Sequence, residues 1–278
     1  MKLGWLSDIH LNFLDNEERD HFFDDLATHN AQGWLLSGDI GEAWSVTRYL
    51  KEFGDRLAVP TYFVLGNHDF YNGSIATVNS EVSELNSSRD NLIWLAESGP
   101  MQLNETVALV GADCMADGRF GNPLETPVML NDFSLIGELI GHSRKDLINL
   151  LRHLADETAA RLREDLHAAT TMGSHVVVVL HVPPFEGATW HEGEISSPDW
   201  LPWFSCEASG LALASVASAH PETNFTVFCG HTHSGGRFSP SANVTVYTAF
   251  AEYARPGVQA VIEFGTDAFP SMVGHGFS

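Results

Sequence analysis

Basic side chains are scarce in this 278-residue chain: 14 lysines and arginines stand against 36 aspartates and glutamates, which gives a formal net charge of −22. Proteins that bind long nucleic acid neutralise its phosphates with lysine and arginine. The charge balance therefore argues against long nucleic acid as a partner. It still permits a small phosphorylated substrate, including a nucleotide, provided that bound cations supply positive charge locally.

Long hydrophobic runs and paired cysteines are also lacking. No apolar stretch approaches the roughly 18 residues of a membrane span, so we expect no membrane partner. Cys114, Cys206 and Cys229 have neither disulfide nor zinc-finger spacing, which predicts reduced thiols in a cytoplasmic protein. Met1 and Lys2 lead directly into an apolar run, so we expect no signal or transit peptide.

Five polar clusters stand out, each at the end of a short apolar run. The runs are rich in β-branched and aromatic residues, which predicts buried strands over residues 3–7, 34–37, 62–65, 176–180 and 225–229. The clusters that follow them are Asp8-Ile9-His10, Gly38-Asp39, Gly66-Asn67-His68-Asp69, His181 and Gly230-His231-Thr232-His233. In α/β sheets the ligand crevice lies beyond the carboxyl ends of the strands. The clusters therefore predict a single active site.

The residue types in these clusters indicate two divalent cations. Asp, Asn and His without cysteine suit Mn²⁺ best, with Fe or Zn²⁺ as alternatives. Asp8 and His10 are two positions apart and would face the same way in an extended segment, as would His231 and His233. Asp39 lies between the two sets and is the candidate bridge. A shared carboxylate holds two cations about 3.5–4 Å apart, the spacing for an in-line displacement at phosphorus.

The pattern D-x-H, G-D, G-N-H-D, H and G-H-x-H resembles that of the calcineurin-like metallophosphoesterases, over roughly residues 3 to 264. The resemblance implies an α/β fold, a four-layer αββα sandwich of two mixed β-sheets flanked by helices. Segments 92–111 and 129–133 are similar to a branch of small cytosolic bacterial-type members. Where that branch has a tryptophan-containing segment, this chain has Ala112-Asp113-Cys114-Met115.

The resemblance also implies a role for each cluster residue. The implied ligands of the first metal are Asp8, His10, Asp39 and His233, and those of the second are Asp39, Asn67, His181 and His231. His68 matches the non-ligand histidine that contacts the phosphate and assists the leaving group. Asp69 would orient His68 as a carboxylate fixes an imidazole, although a helix N-cap is an alternative role for it.

The rest of the chain predicts one domain over residues 1–265 and a surface tail over 266–278. Within the domain, 113–170 reads as an irregular segment followed by a long helix that begins at the N-cap candidate Asp146. Residues 182–207 read as a long structureless loop on the substrate side. Its aromatic side chains, among them Trp190 and Trp200, could stack on a leaving group or serve packing or a dimer contact.

These observations predict a metal-dependent phosphoesterase that acts on a monoester or diester of a small molecule or nucleotide. A hydroxide that bridges the metals would attack phosphorus, and His68 would assist the leaving group. Three alternatives are a manganese-dependent nuclease on short or single-stranded nucleic acid, a non-catalytic protein-interaction module, and a metal sensor or store. Arg119 and Arg237 are candidate phosphate contacts, with exposed solvated side chains as the plainer interpretation.

Overall fold

The computed structural model describes residues 1–264 and 271–273 of the chain. Its strands form two six-stranded sheets and one two-stranded ribbon. The first sheet contains β1 (Lys2–Leu6), β2 (Trp34–Ser37), β3 (Thr61–Val64), β4 (Leu92–Trp94), β13 (Ala260–Glu263) and β14 (Ser271–Val273). The second contains β5 (Met101–Gln102), β6 (Val107–Ala112), β7 (His175–Leu180), β10 (Asn224–Cys229), β11 (Gly236–Ser241) and β12 (Val244–Thr248). The ribbon is β8 (Trp190–His191) with β9 (Glu194–Ile195).

Each sheet has a parallel centre and antiparallel edges. The order in the first sheet is β14-β13-β1-β2-β3-β4, with β1 to β4 parallel and β13 antiparallel to β1. The order in the second is β11-β12-β10-β7-β6-β5, with only β11 and β5 antiparallel to their neighbours. The carboxyl ends of the parallel strands therefore lie along one edge of each sheet.

Helices accompany the two sheets, and the longer ones cover their outer faces. They are α1 (Asn16–Thr28), α2 (Val46–Arg56), α3 (Ile75–Ser87), α4 (Leu95–Ser98), α5 (Asp132–Leu135), α6 (Arg144–Ala169), α7 (Leu201–Phe204) and α8 (Glu207–Ala219). Short 3-10 turns lie at Leu11–Phe13, His68–Phe70, Gly137–Leu139 and Glu186–Ala188. In the part of the chain that the structure describes, no helix combines the length and apolarity needed to cross a membrane.

The core has three hydrophobic clusters, which correspond to the interfaces of a four-layer sandwich. The cluster between the sheets joins alternate residues of both, such as Leu3 and Trp5 with Val177 and Val179. A second cluster packs the first sheet against α1 to α3, and a third packs the other sheet against α6 and α8. Because alternate strand residues face opposite sides, strands buried on both faces read as continuous apolar runs, as in the VVVV of β7. The predicted fold class is confirmed.

Several details differ from the expectations. α6 begins two residues before Asp146, and the N-cap is Ser143, whose hydroxyl accepts a hydrogen bond from the Asp146 amide. Residues 182–207 are not structureless, because they contain a 3-10 turn, the β8–β9 ribbon and α7. The predicted tail contains the edge strand β14, while residues 265–270 and 274–278 lie outside the described part of the chain.

Candidate metal centre

The five clusters occupy tight turns after β1, β2, β3, β7 and β10. Unusual backbone geometry marks these turns, since five of their residues have left-handed φ angles without being glycine: Asp8 (50°), His10 (40°), Asp39 (54°), His231 (71°) and His233 (59°). Such conformations cost on the order of 1–3 kcal/mol each and persist where surrounding structure fixes them.

Backbone hydrogen bonds between the turns hold this geometry. The amide of Asp8 donates to the carbonyl of Gly38, and the amide of His10 donates to that of Asp39, each at 3.0 Å. The turn after β3 approaches so closely that a Cβ atom on Gly66 would lie 2.2 Å from Oδ1 of Asp39. Only glycine fits there. The turns therefore form one interlocked unit.

Asp69 lies inside this unit and does not orient His68. Its Oδ1 accepts hydrogen bonds from the amides of Ile40 (2.9 Å) and Gly41 (2.8 Å), and its Oδ2 accepts one from the amide of Gly66 (2.9 Å). The expected carboxylate–imidazole contact is therefore wrong, and so is the N-cap alternative, because the N-cap of α3 is Ser74. Asp69 ties the turn after β2 to the turn after β3.

The first predicted ligand set is brought together. Candidate ligand atoms of Asp8, His10, Asp39 and His233 all lie within 4.8 Å of one another. The Nε2 atoms of His10 and His233 face each other at 3.3 Å, and Nε2 of His233 is 3.4 Å from Oδ1 of Asp8. Nδ1 of His10 is buried and, among the described residues, has no hydrogen-bond partner.

The second predicted set meets around Oδ1 of Asn67, with His181 also close to Oδ1 of Asp39. Nε2 of His181 lies 3.4 Å from Oδ1 of Asp39 and 2.9 Å from Oδ1 of Asn67. Nδ1 of His231 is also 2.9 Å from Oδ1 of Asn67. Asp39 therefore lies between two groups of N and O donors, with Oδ2 directed to the His10 side (3.8 Å) and Oδ1 to the His181 side.

The remote ring nitrogens of two histidines fix which nitrogen faces the centre. Nδ1 of His181 is 2.8 Å from the carbonyl oxygen of Ser37, and Nε2 of His231 is 2.8 Å from that of Trp203. A carbonyl only accepts, so these remote nitrogens carry protons, and the opposite nitrogen of each ring is the one that would bind a metal. This is the arrangement that orients metal-binding histidines.

The electrostatics of the centre are those of buried carboxylates among imidazoles. Burial opposes ionisation of Asp8, yet His233 and His181 lower its pKa to about 2. The pKa of Asp39 lies well below its usual value, because His181 and His68 outweigh burial. Burial lowers the pKa of His10 to about 3, whereas Asp39 overcomes the burial of His181 and raises its pKa to about 10. Within residues 1–264, the ion pairs of both carboxylates are with histidines.

The donor set fits a pair of divalent cations. It consists of imidazole nitrogens and carboxylate and amide oxygens, buried or nearly so, in two groups that share Asp39. Such ligands suit Mn²⁺, Fe or Zn²⁺. The three cysteines are buried and unpaired, and none belongs to either group.

His68 lies at the mouth of the centre. Its side chain is 16% exposed, and its Nε2 is 4.0 Å from Oδ2 of Asp39. The ring stacks on Tyr71, with 4.1 Å between centroids and 25° between planes. His68 is therefore beside both groups of donors while remaining accessible from solvent.

Three residues of the site were missed in the sequence. Asp132 accepts a hydrogen bond from Nδ2 of Asn67, and Tyr253 and Phe13 form an aromatic pair beside His10. Tyr253 is 45% exposed and its ring is 5.0 Å from that of His233. Asp132 and Tyr253 come from segments without periodicity; only the similarity noted for residues 129–133 could have drawn attention to Asp132.

The aromatic residues of 182–207 have different roles from one another. Trp203 is fully buried, and its carbonyl receives the His231 hydrogen bond. Phe204 packs against the His231 ring (5.4 Å) and stacks on Trp200 (4.8 Å). Trp190 packs on Gly236, where a Cβ atom would lie 2.2 Å from its Nε1. Phe204 therefore adjoins the centre, with Trp200 stacked on it.

The two candidate phosphate-binding arginines have other contacts. Arg119 forms ion pairs with Asp117 and Asp156, both at 2.8 Å. Arg237 lies over the ring of Tyr247. The plainer interpretation of both as side chains outside the site agrees with these contacts.

Solved structures of other proteins have a similar fold. The fold is similar to that of a phosphopantetheinyl hydrolase from Mycobacterium tuberculosis, with a TM-score of 0.65 and 15% identity over 91% of this chain and 90% of that one. It is also similar to a dimetal phosphatase from Danio rerio, with a TM-score of 0.61 and 17% identity over 96% and 93% of the two chains. No curated protein matches the sequence.

These identities establish the fold alone. The sequence profile of the calcineurin-like phosphoesterases matches residues 1–235, which is most of the chain. The resemblance seen in the five clusters is thereby confirmed, and the protein belongs to the calcineurin-like phosphoesterase family.

Proposed function

We propose that the protein is a dinuclear metal-dependent phosphoesterase that hydrolyses a phosphate monoester or diester of a small molecule or nucleotide. The observation that carries the proposal is the position of Asp39, with one carboxylate oxygen toward each of two groups of inward-facing donors. Asp8, His10 and His233 would complete one metal site, and Asn67, His181 and His231 the other. Two bound divalent ions would supply Lewis-acid polarisation of the phosphoryl oxygens and activation of a water nucleophile.

His68 is the proton donor to the leaving oxygen in this proposal. It is the imidazole at the mouth that is in neither donor group, and its ring is held by the stack on Tyr71. Its Nε2 lies 4.0 Å from the carboxylate between the two groups, so a phosphate bound there would be within its reach.

The leaving group would lie between two aromatic surfaces. Phe13 and Tyr253, 49% and 45% exposed, stand beside His10 and His233, while the buried Phe204 packs against His231 and stacks on Trp200. Exposed rings next to a phosphate-binding centre favour a planar leaving group such as an aryl group or a nucleobase. The net charge of −22 supports a small substrate over long nucleic acid. The three unpaired thiols support a cytoplasmic location.

The test is a screen of metal-stripped protein reconstituted with Mn²⁺, Fe²⁺ or Zn²⁺. An aryl phosphate monoester, its diester, a nucleotide and a short oligonucleotide would be assayed side by side, with Asp39→Asn as the inactive control. Metal-dependent hydrolysis of a small ester that is lost in the variant supports the proposal. Cleavage of the oligonucleotide alone would favour a nuclease, and two bound ions without turnover of any ester would favour a non-catalytic role.

A further inference from the structure

Asp132 lies directly behind the centre and was brought there from a distant part of the chain. It begins α5 and is 4% exposed. Its Oδ1 accepts two hydrogen bonds, from Nδ2 of Asn67 at 2.8 Å and from the hydroxyl of Tyr71 at 2.5 Å. One carboxylate oxygen thus contacts both a candidate metal ligand and the ring on which His68 stacks.

The first contact determines which atom of the Asn67 amide faces the centre. A side-chain amide can be turned so that either its oxygen or its NH₂ group points a given way. An ionised carboxylate accepts hydrogen bonds and cannot donate them, so Asp132 selects the orientation with Nδ2 toward itself. Oδ1 of Asn67 then faces His181 and His231, both at 2.9 Å.

The second contact fixes the ring beneath His68. The hydroxyl of Tyr71 donates to Asp132 and is 3.3 Å from Nδ2 of Asn67, so the three polar groups form a closed triangle. The Tyr71 ring stacks on His68 at 4.1 Å. A shift of Asp132 would therefore move the oxygen offered to the second ion and the imidazole at the mouth together.

We propose that Asp132 is a positioning residue that couples the Asn67 ligand of the second metal site to the alignment of His68. The proposal rests on the proposed function, because it takes Asn67 as a ligand and His68 as the proton donor. Residues that orient metal ligands from behind typically change metal affinity 10- to 100-fold when they are removed. Asp132 should act on one of the two ions, since its contact is with Asn67 and not with Asp8, His10 or His233.

A purely structural role is the competing explanation, and Asp117 provides the matched control. It is fully buried, lies in the same irregular segment, and accepts hydrogen bonds from the amides of Arg119 (3.1 Å) and Ala208 (2.9 Å). These partners are not at the metal centre. Loss of Asp117 should therefore cost stability without a selective effect on one ion.

The experiment is a calorimetric Mn²⁺ titration of metal-free wild type, Asp132→Leu, Asp132→Asn, Asp117→Leu and Tyr71→Phe, with urea unfolding of each. We expect Asp132→Leu to weaken the binding of one of the two ions about 10- to 100-fold. Asp132→Asn keeps an acceptor oxygen and should recover most of that loss. Asp117→Leu should unfold earlier in urea but bind both ions normally. Tyr71→Phe keeps the ring and the 2.8 Å hydrogen bond from Asn67 to Asp132 and loses only the longer one from Asn67 to the Tyr71 hydroxyl, so both ions should bind normally.

The leaving-group dependence of kcat supplies the second measurement. In Asp132→Leu the loss in kcat should be larger for an alkyl than for an aryl leaving group, because misaligned His68 matters most where protonation is needed. If Asp132→Leu folded and bound both ions as wild type does, the inference would be overturned while the proposed function stood. If it did not fold, Asp132→Asn decides. Loss of an ion in Asp132→Asn equal to that in Asn67→Ala would mean that the charge of Asp132, and not the orientation it gives Asn67, is the contribution, which would overturn the inference. A wild type that bound no metal would instead refute the proposed function.

Discussion

Nε2 of His181 and Oδ1 of Asn67 lie 2.9 Å apart although 114 positions separate the two residues in the chain. One follows a strand of the second sheet and the other a strand of the first. The donor groups are therefore shared between the sheets, and the centre depends on their packing.

Asp39→Asn should abolish nearly all turnover and lose at least one metal ion while the fold is retained. Asparagine tolerates the left-handed backbone at this position, but a neutral amide cannot serve as a charged bridge. Metal content by mass spectrometry and far-ultraviolet circular dichroism would check this. Asp199→Asn, on the surface, is the control. Two ions per chain with normal activity would refute the role of Asp39.

His68→Ala should keep both ions but reduce kcat by about 10²–10⁴, the range of general acid catalysis. The loss should be smaller for an aryl than for an alkyl leaving group, because an aryloxide needs less protonation. Steady-state kinetics on a pair of such substrates, with exposed His153→Ala as control, measures it. Equal losses on both substrates would show that His68 only positions the phosphate.

Asp69→Ala should lower the free energy of unfolding of the metal-free protein by about 3 kcal/mol or more. Three buried amides would lose their acceptor, and a buried donor left without a partner costs roughly 1–3 kcal/mol. Urea unfolding measures the change. The free energy of unfolding of Asp69→Asn should lie between those of wild type and Asp69→Ala, since an amide oxygen still accepts hydrogen bonds. An unchanged urea midpoint in Asp69→Ala would contradict the tie between the turns.

The stability of the metal-free protein should fall on both sides of neutrality. The pKa of His181 is raised from 6.5 to about 10, so its stabilisation is complete below pH 6.5 and is lost as the pH rises through 10. The pKa of His10 is lowered to about 3, so acidification below 6.5 protonates it in the unfolded chain first and destabilises the fold. Urea midpoints at pH 5, 7 and 10 test this; His181→Asn should flatten the alkaline side only.

Tyr253→Ala should raise KM for a nucleotide or aryl ester about 5- to 150-fold with little change in metal content, since a stacked base contributes roughly 1–3 kcal/mol. Trp190→Ala is the matched comparison. Because Trp190 packs on Gly236, its loss should lower stability and leave KM nearly unchanged. The reverse pattern would show that Trp190, and not Tyr253, contacts the leaving group.

The strand-end turns could be predicted because apolar runs of β-branched residues mark strands, and parallel strands place their ends together. Asp132 and Tyr253 could not, since they come from irregular segments whose path depends on tertiary contacts. The direction of the Asp69 side chain could not be predicted either. A sequence pattern does not specify the side-chain torsion that decides whether this carboxylate meets His68 or the backbone amides of the neighbouring turns. The ribbon in 182–207 could not be predicted because its strands have two residues each, too few to show the alternation of apolar and polar residues that marks a strand.

The tie that Asp69 makes between the Asp39 and Gly66 turns bears on how the centre acquires its ions. The backbone that carries the donors is already ordered by hydrogen bonds that involve no ion, so the entropy of arranging it is lost during folding and not on metal uptake. Metal binding should then be limited by diffusion and dehydration of the ion, and the stripped protein should reload without a refolding phase.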